Sequence, residues 1–259
     1  MNRAPVQVSV VNHTKKLRDE DVAEGIVALQ KQVREDFAPV WHVDAELHLV
    51  PHEEARRYPY GHVRPLEHLD RWALVLLDLD DAPDPAVVLG YHDLTRSGRP
   101  LARVLVDRIP KGQDWTHTAS HELLEMLADP DINATVQRHP DAVTSLFYAR
   151  EVCDPCEAYA DGYEIAGTGR RVADFVWPAW FQSGASRREA TRYDERRLID
   201  QSFQIRPGGY IGVFDPTISA WTIMGHDGPL DEATDLGSRT ERRTTADNRL
   251  MFSCMSTAP

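Results

Sequence analysis

The residues best suited to chemistry lie in the segment Ser120–Pro130, which reads SHELLEMLADP. On a helix, residues four apart lie nearly one above the other, so His121 and Glu125 can reach one metal ion from the same face. Glu122 lies beside them, where the general base stands in the His-Glu-x-x-His zinc helix. Glu125 replaces the second histidine of that helix; a carboxylate also binds zinc but makes a harder site. The spacing predicts a zinc site in which Glu122 activates a water molecule, with iron or manganese as alternative metals.

The motif helix and the acidic segment after it resemble a known superfamily. The pattern His121-Glu122-x-x-Glu125, preceded by strand and hairpin-like segments, is similar to the active-site helix of the zincin metallopeptidases. Its continuation to Asp-Pro and the later Glu151–Cys156 segment (EVCDPC) resemble a group of little-characterised proteins that includes the plant phosphate-induced (exordium-like) family. The resemblance covers roughly residues 70–180. It implies a zincin-like fold with a metal site.

Two acidic residues compete for the place of the third protein ligand. In thermolysin-like peptidases a glutamate from a later segment completes the site, and this resemblance places Glu151 first, with Asp154 as an orienting group or as the second choice. A metzincin arrangement would use Asp131 instead. That arrangement needs a glycine in its turn, where this chain has Ala128.

Other residues near the motif have both a chemical and a simpler interpretation. His117, one turn before the motif, is an alternative ligand or a solvent-facing side chain at the helix start. Tyr210, after a glycine-rich turn, could stabilise an oxyanion over the metal or could simply open a strand. Cys153 and Cys156 form a lone Cys-x-x-Cys, which cannot build a four-thiolate site and is typical of buried structural thiols. Six histidines without paired spacing are interpreted as ordinary: His42, His48, His52, His62, His68 and His92.

The elements that must position these residues follow from hydrophobic periodicity. Alternating or apolar runs predict the early strands, at residues 6–11, 45–50 and 72–79. The last run is the most apolar, which favours a central strand. Helical spacing over 19–37 predicts a first helix with Asp19 or Asp21 as its cap. Residues 87–93 and 102–106 predict a hairpin-like pair.

The helix that carries the motif is predicted over about 116–128, because an apolar stripe runs through it and Pro130 stops it. Thr116 or Thr118 is the expected cap. Downstream, residues 142–152 predict a further helix, and strands are predicted between residues 163 and 181.

Composition and charge narrow the class of protein. The 259 residues carry 29 Lys+Arg against 41 Asp+Glu, a net charge of −12, which argues against a nucleic-acid or anionic-membrane surface. The longest apolar run, Trp72–Leu77, is far shorter than the about 20 residues of a membrane span. The first residues show no signal-peptide core and three cysteines are too few for a disulfide scaffold, so we expect a cytoplasmic protein.

Together these patterns predict an α+β fold: a zincin-like mixed β-sheet with packed helices and an active-site helix, in one domain over residues 1–237. Residues 238–259 are expected to form a flexible tail. The predicted function is a metal-dependent hydrolase, with a peptide or small amide as its substrate. The alternative is a zincin-derived binding or structural protein whose metal site is vestigial or only stabilises the fold. The basis for that alternative is the glutamate in place of the second motif histidine.

Overall fold

The computed structural model describes most of the chain, namely residues 4–57, 71–81, 89–95, 97–139, 145–183 and 191–230. Within these residues the chain has an α+β fold, with two five-stranded sheets, a two-stranded hairpin and four α-helices. The predicted tail at residues 238–259 lies outside the described residues. No described helix combines the length and the apolar character that a membrane span requires.

The first sheet is mixed and lies in the N-terminal half. Its strands are β1 (Val6–Asn12), β2 (Ala45–Val50), β3 (Trp72–Leu77), β4 (Gly90–Leu94) and β5 (Pro100–Leu105). Their order is β2-β1-β3-β5-β4; four strands run parallel, and β4 is the antiparallel edge strand. The three early strands and the hairpin-like pair are therefore confirmed, with β3 at the centre. Residues 87 and 88 of the predicted pair lie outside the described residues.

The first helical region is less regular than its sequence pattern predicts. It comprises α1 (Asp19–Lys31), a π-helical stretch (Gln32–Phe37) and α2 (Ala38–Trp41). The predicted capping role of Asp19 or Asp21 is wrong, because Arg18 occupies the N-cap position and no side chain makes a capping bond. The Asp19 carboxylate instead accepts the backbone N–H of His52, at the start of the short helix α3 (His52–Ala55).

The motif helix α4 spans Trp115–Ala128, close to the predicted bounds. Its cap is Asp114, whose carboxylate accepts the backbone N–H of Thr116, so the prediction of a threonine cap is wrong. The Thr116 hydroxyl donates instead to the carbonyl of Arg171, 2.6 Å away. The Thr116 side chain thus connects the start of α4 to the backbone at Arg171 instead of capping the helix.

The second half of the chain forms an antiparallel sheet and a hairpin. The strands are β6 (Thr135–Gln137), β7 (Phe147–Ala149), the hairpin β8 (Tyr163–Ile165) and β9 (Arg170–Val172), then β10 (Tyr210–Asp215), β11 (Ala220–Gly225) and β12 (Gly228–Pro229). The sheet order is β12-β11-β10-β7-β6.

Two predictions for this half need correction. The helix predicted over 142–152 is wrong, because β7 pairs with β6 and β10, and a short apolar run alone does not separate strand from helix. Residues 142–144 lie outside the described residues. Of the strands predicted between 163 and 181, β8 and β9 are present, whereas Pro178–Phe181 is a 3-10 turn that proline begins.

Helix α4 lies at the centre of the molecule. Every residue from Trp115 to Leu127 is buried, because the helix contacts β4 and β5 on one side and β9 on another. Leu123 and Leu124 join one core with Leu74 and Leu76 of β3. The polar side chains of a helix without a solvent-exposed face need hydrogen-bond or ionic partners inside the protein. The motif residues therefore meet partners from other elements.

Candidate metal centre

Helix α4 supplies three buried polar side chains to one interior cluster. His121, Glu122 and Glu125 are 7%, 5% and 3% exposed. The Nε2 atom of His121 lies 3.4 Å from the Oε2 atom of Glu125, which is one turn further along the helix. Both side chains share the helix face that the four-residue spacing predicts.

The turn after β7 supplies the next part of the cluster. Asp154 opens the 3-10 turn Asp154–Cys156, and its Oδ1 atom lies 3.2 Å from Nε2 of His121. The Oε1 atom of Glu125 accepts the backbone N–H groups of Cys153 and Asp154 at 3.2 and 3.3 Å. The Glu125 carboxylate is therefore held by the turn through one oxygen and faces His121 with the other.

His92 of the edge strand β4 completes the cluster and is the residue that sequence reasoning missed. It is 1% exposed, and its Nδ1 atom lies 3.4 Å from Oε2 of Glu125 and 3.7 Å from Oε2 of Glu122. Its Nε2 atom lies 3.4 Å from Glu151. Strand alternation is the only sequence signal for this role. His92 pairs with Ala102, a core residue on the α4 side of β5, so the two side chains lie on the same face of the sheet.

The four residues predicted as ligands, namely His121, Glu125, Glu151 and Asp154, lie in one cluster. Asp154 lies beside His121, whereas Glu151, the residue placed first as third ligand, lies against His92. Close approach of β4 to α4 makes this arrangement possible. A Cβ atom at Gly90 would lie 2.8 Å from Oε1 of Glu122, so only glycine leaves that carboxylate in its place.

Two sets of side chains have the composition of a metal site. One set is His121, Glu125 and Asp154; the other is His92, Glu122 and Glu125. Within each set the ligand atoms lie within 4.8 Å of one another. Zinc bonds of about 2.0–2.2 Å in tetrahedral geometry place neighbouring ligand atoms about 3.4 Å apart. The separations of 3.2 and 3.4 Å around His121 match that spacing, so these buried groups could hold a metal ion.

The electrostatics of the cluster reflect its burial. Burial alone would lower the pKa of His121, but the Glu125 and Asp154 carboxylates raise it well above its usual value. Burial would raise the pKa of Glu125, yet His121 and His92 hold it well below its usual range. Burial and repulsion from Glu125 raise the pKa of Asp154 well above its ordinary value. The raised pKa of Asp154 means that its carboxyl group ionises there only at a cost, which a cation bound beside it would offset.

Tyr210 borders the same cluster. Burial and the charges of Asp154 and Glu157 raise its pKa well above the usual value, so its hydroxyl stays protonated. The preceding Gly209 permits this placement, because a Cβ there would lie 2.5 Å from the carbonyl oxygen of Pro155. Glu157, which is partly exposed, has a pKa of about 7 because of burial and the neighbouring carboxylates.

His117, Cys153 and Cys156 lie near the cluster without belonging to either set. The solvent-facing interpretation of His117 is wrong: it is 6% exposed and its ring packs against Tyr159. Burial and the positive neighbours His121 and Arg171 lower its pKa to about 3. Both cysteines are buried and free, and burial raises the pKa of each thiol well above its usual value. These two thiols are packing residues, as predicted.

No protein-family model, curated protein or solved structure matches the chain. The functional argument therefore depends on the geometry of the cluster.

Proposed function

We propose that this protein is a zinc-dependent hydrolase of peptide or small amide bonds. One observation carries the proposal: His121, Glu125 and Asp154 each offer a ligand atom within 4.8 Å of the other two, and Glu122 lies next to His121 in the same buried cluster. The donor set is one imidazole with two carboxylates, which suits zinc and also admits iron or manganese.

The protein's own residues have separate parts in this chemistry. His121, Glu125 and Asp154 would hold the ion. A zinc ion bound there supplies Lewis-acid chemistry, polarising a substrate carbonyl and making a water molecule acidic near neutral pH. Glu122 would take the proton of that water on its carboxylate and pass it to the leaving amine. Tyr210 would donate its hydroxyl proton in a hydrogen bond to the oxyanion that develops on the carbonyl.

The sheet supports the zincin-like part of the proposal. The antiparallel edge strand β4 contacts α4, and β5 leads into the helix within ten residues. An edge strand beside the motif helix offers backbone groups to an extended peptide substrate. Glu151 would orient the His92 ring, because it lies 3.4 Å from the Nε2 atom of His92.

A fold-stabilising metal site is the second candidate, and burial favours it. Structural zinc sites are closed, whereas catalytic sites keep an open coordination position. His121, Glu122, Glu125 and Asp154 are all at most 7% exposed, which suits a closed site. The two candidates differ in whether the metal-loaded protein hydrolyses an amide.

Metal content and hydrolysis together test the proposal. We expect about one equivalent of tightly bound zinc per chain after dialysis, measured by plasma mass spectrometry, and none in His121→Ala or Glu125→Ala. Glu122→Gln should keep that zinc but lose at least about 100-fold in hydrolysis of a mixed peptide substrate, since a general base contributes about 10²–10⁴-fold.

Glu164→Gln is the matched control, because Glu164 is an exposed glutamate on β8. It should retain both zinc and activity. Tight zinc without any hydrolysis would leave the fold-stabilising role, and full activity in Glu122→Gln would exclude Glu122 as the base.

A further inference from the structure

The carboxyl groups of the cluster exceed what one divalent cation balances. Glu122, Glu125, Glu151 and Asp154 are each at most 5% exposed. One divalent cation offsets the charge of two carboxylates, so the other two carboxyl groups must either stay protonated or bind a second dication. Buried charge without compensation is costly, and a second dication would neutralise the cluster.

His92 has the surroundings of a metal ligand. Histidines that bind metals usually donate their other ring N–H to a carboxylate, which fixes the orientation of the ring. In His92, Nδ1 faces the Glu122 and Glu125 carboxylates at 3.7 and 3.4 Å, and Nε2 lies 3.4 Å from Glu151. The Nδ1 atom of His92 thus faces the other members of the second ligand set, while the Glu151 carboxylate lies next to its Nε2 atom.

Glu125 joins the two sets through a single oxygen. Its Oε1 atom is occupied by the two backbone N–H groups of the turn, and its Oε2 atom lies 3.4 Å from both His92 Nδ1 and His121 Nε2. An oxygen placed equally between two imidazoles can bridge two ions. Bridged pairs of ions in hydrolases lie about 3.5–4 Å apart, a separation that one bridging oxygen allows.

We propose that His92, Glu122 and Glu125 form a second, weaker site for a divalent cation, next to the site at His121 and bridged to it by Glu125. The inference rests on the proposed metal centre, because the two sites share that glutamate. It adds a regulatory consequence. An ion on Glu122 occupies the lone pairs that accept the proton of water, so filling the second site lowers hydrolysis.

Equilibrium dialysis of the chelator-stripped full-length chain against Zn²⁺ tests the proposal without any substrate. Wild type should bind two ions per chain with separate affinities. His92→Asn should retain only the tight ion, and His121→Asn should retain only the weak one. Circular dichroism of each variant shows whether its fold is intact.

Glu151→Gln is the second variant, because it removes no ligand from either set and leaves a side chain of the same shape. Loss of the carboxylate behind His92 should weaken the second ion about 10–100-fold and leave the first unchanged. Glu157→Gln is the matched control, since Glu157 borders the cluster outside both sets, and it should bind two ions like wild type.

One ion in wild type at every zinc concentration would overturn the proposal. So would loss of the same single ion in both His92→Asn and His121→Asn, which would mean one site with two histidines. Either result leaves the proposed hydrolase intact. Two ions without hydrolysis would support the second site while contradicting the proposed function, so the two claims fail separately.

Discussion

The Oε2 atom of Glu125 lies 3.4 Å from the Nε2 atom of His121, while the other oxygen of that carboxylate is hydrogen-bonded to the backbone of the turn at Cys153 and Asp154. One side chain thus connects α4 to the turn and presents a ligand atom to the histidine. This connection would couple metal binding to the packing of the two halves of the chain, because α4 contacts the first sheet and the turn contacts β10.

Removal of the metal should therefore destabilise the protein. Without a cation, Glu125 and Asp154 remain as neighbouring buried carboxyl groups. An ion present at about a thousand times its Kd contributes about 4 kcal/mol to stability, and each kcal/mol is worth about 2–4 °C in Tm for a chain of this size. Thermal denaturation with and without chelator should show a large drop in wild type and a much smaller one in His121→Asn. Equal Tm values in wild type would exclude a tight site.

The sequence predicts the motif helix and its ligand spacing well, because helical periodicity is a local property. His121 and Glu125 share a face for that reason alone. His92 could not be predicted in the same way, since its place depends on which face of β4 meets α4 and on the register with β5. The same limit applies to residues 147–149, whose apolar side chains suit either a helix or a strand until β10 is known to pair with them.

The order of the acidic ligands also depends on tertiary structure. Glu151 and Asp154 are three residues apart, and spacing from His121 admits both. The 3-10 turn directs Asp154 toward His121, whereas Glu151 precedes the turn and faces β4. The conformation of this turn depends on Pro155 and on the contact with Gly209. The sequence pattern around the motif helix contains no information about that contact.

Gly209→Ala should weaken zinc binding without removing a ligand. The added Cβ would lie 2.5 Å from the carbonyl oxygen of Pro155 and 2.8 Å from that of Asp154, so the turn must shift. Displacement of Asp154 by a few tenths of an ångström should lower zinc affinity about tenfold or more, measured by competition with a chromophoric chelator. Gly212→Ala on β10 is the control, because its Cβ would meet only ordinary contacts, the nearest at 3.6 Å. Equal affinities in both variants would show that this contact does not hold the ligand.

Tyr210→Phe should lower turnover while leaving the metal bound. Loss of one hydrogen-bond donor to an oxyanion costs about 10²–10³-fold in kcat, and KM should change little because the bond forms in the transition state. Tyr163→Phe provides the comparison, since the Tyr163 hydroxyl donates to Asp36 outside the cluster. Its kcat should match wild type. A Tyr210→Phe enzyme with unchanged kcat would assign Tyr210 to packing alone.

A second buried acidic pair, Asp174 and Asp194, lies outside the metal centre and should make stability depend on pH. Both side chains are fully buried. Burial and the charge of Asp194 raise the pKa of Asp174 to about 9. Backbone N–H groups of Phe175 and Arg196 donate to the Asp174 Oδ1 atom. The folded protein therefore keeps a proton that the unfolded chain releases near its ordinary pKa of 3.8.

The sign of the dependence follows from that proton. Between about pH 4 and pH 9 the native state binds more protons than the unfolded state, so the free energy of unfolding falls as pH rises, by at most about 1.4 kcal/mol per pH unit. Asp174→Asn keeps the shape and cannot ionise, so its stability should fall less steeply over the same range. Urea unfolding of chelator-treated protein from pH 5 to pH 8.5 measures both slopes. Asp200→Asn, at an exposed position, should keep the wild-type slope. Identical slopes in wild type and Asp174→Asn would mean that the pair shares no proton in the folded protein.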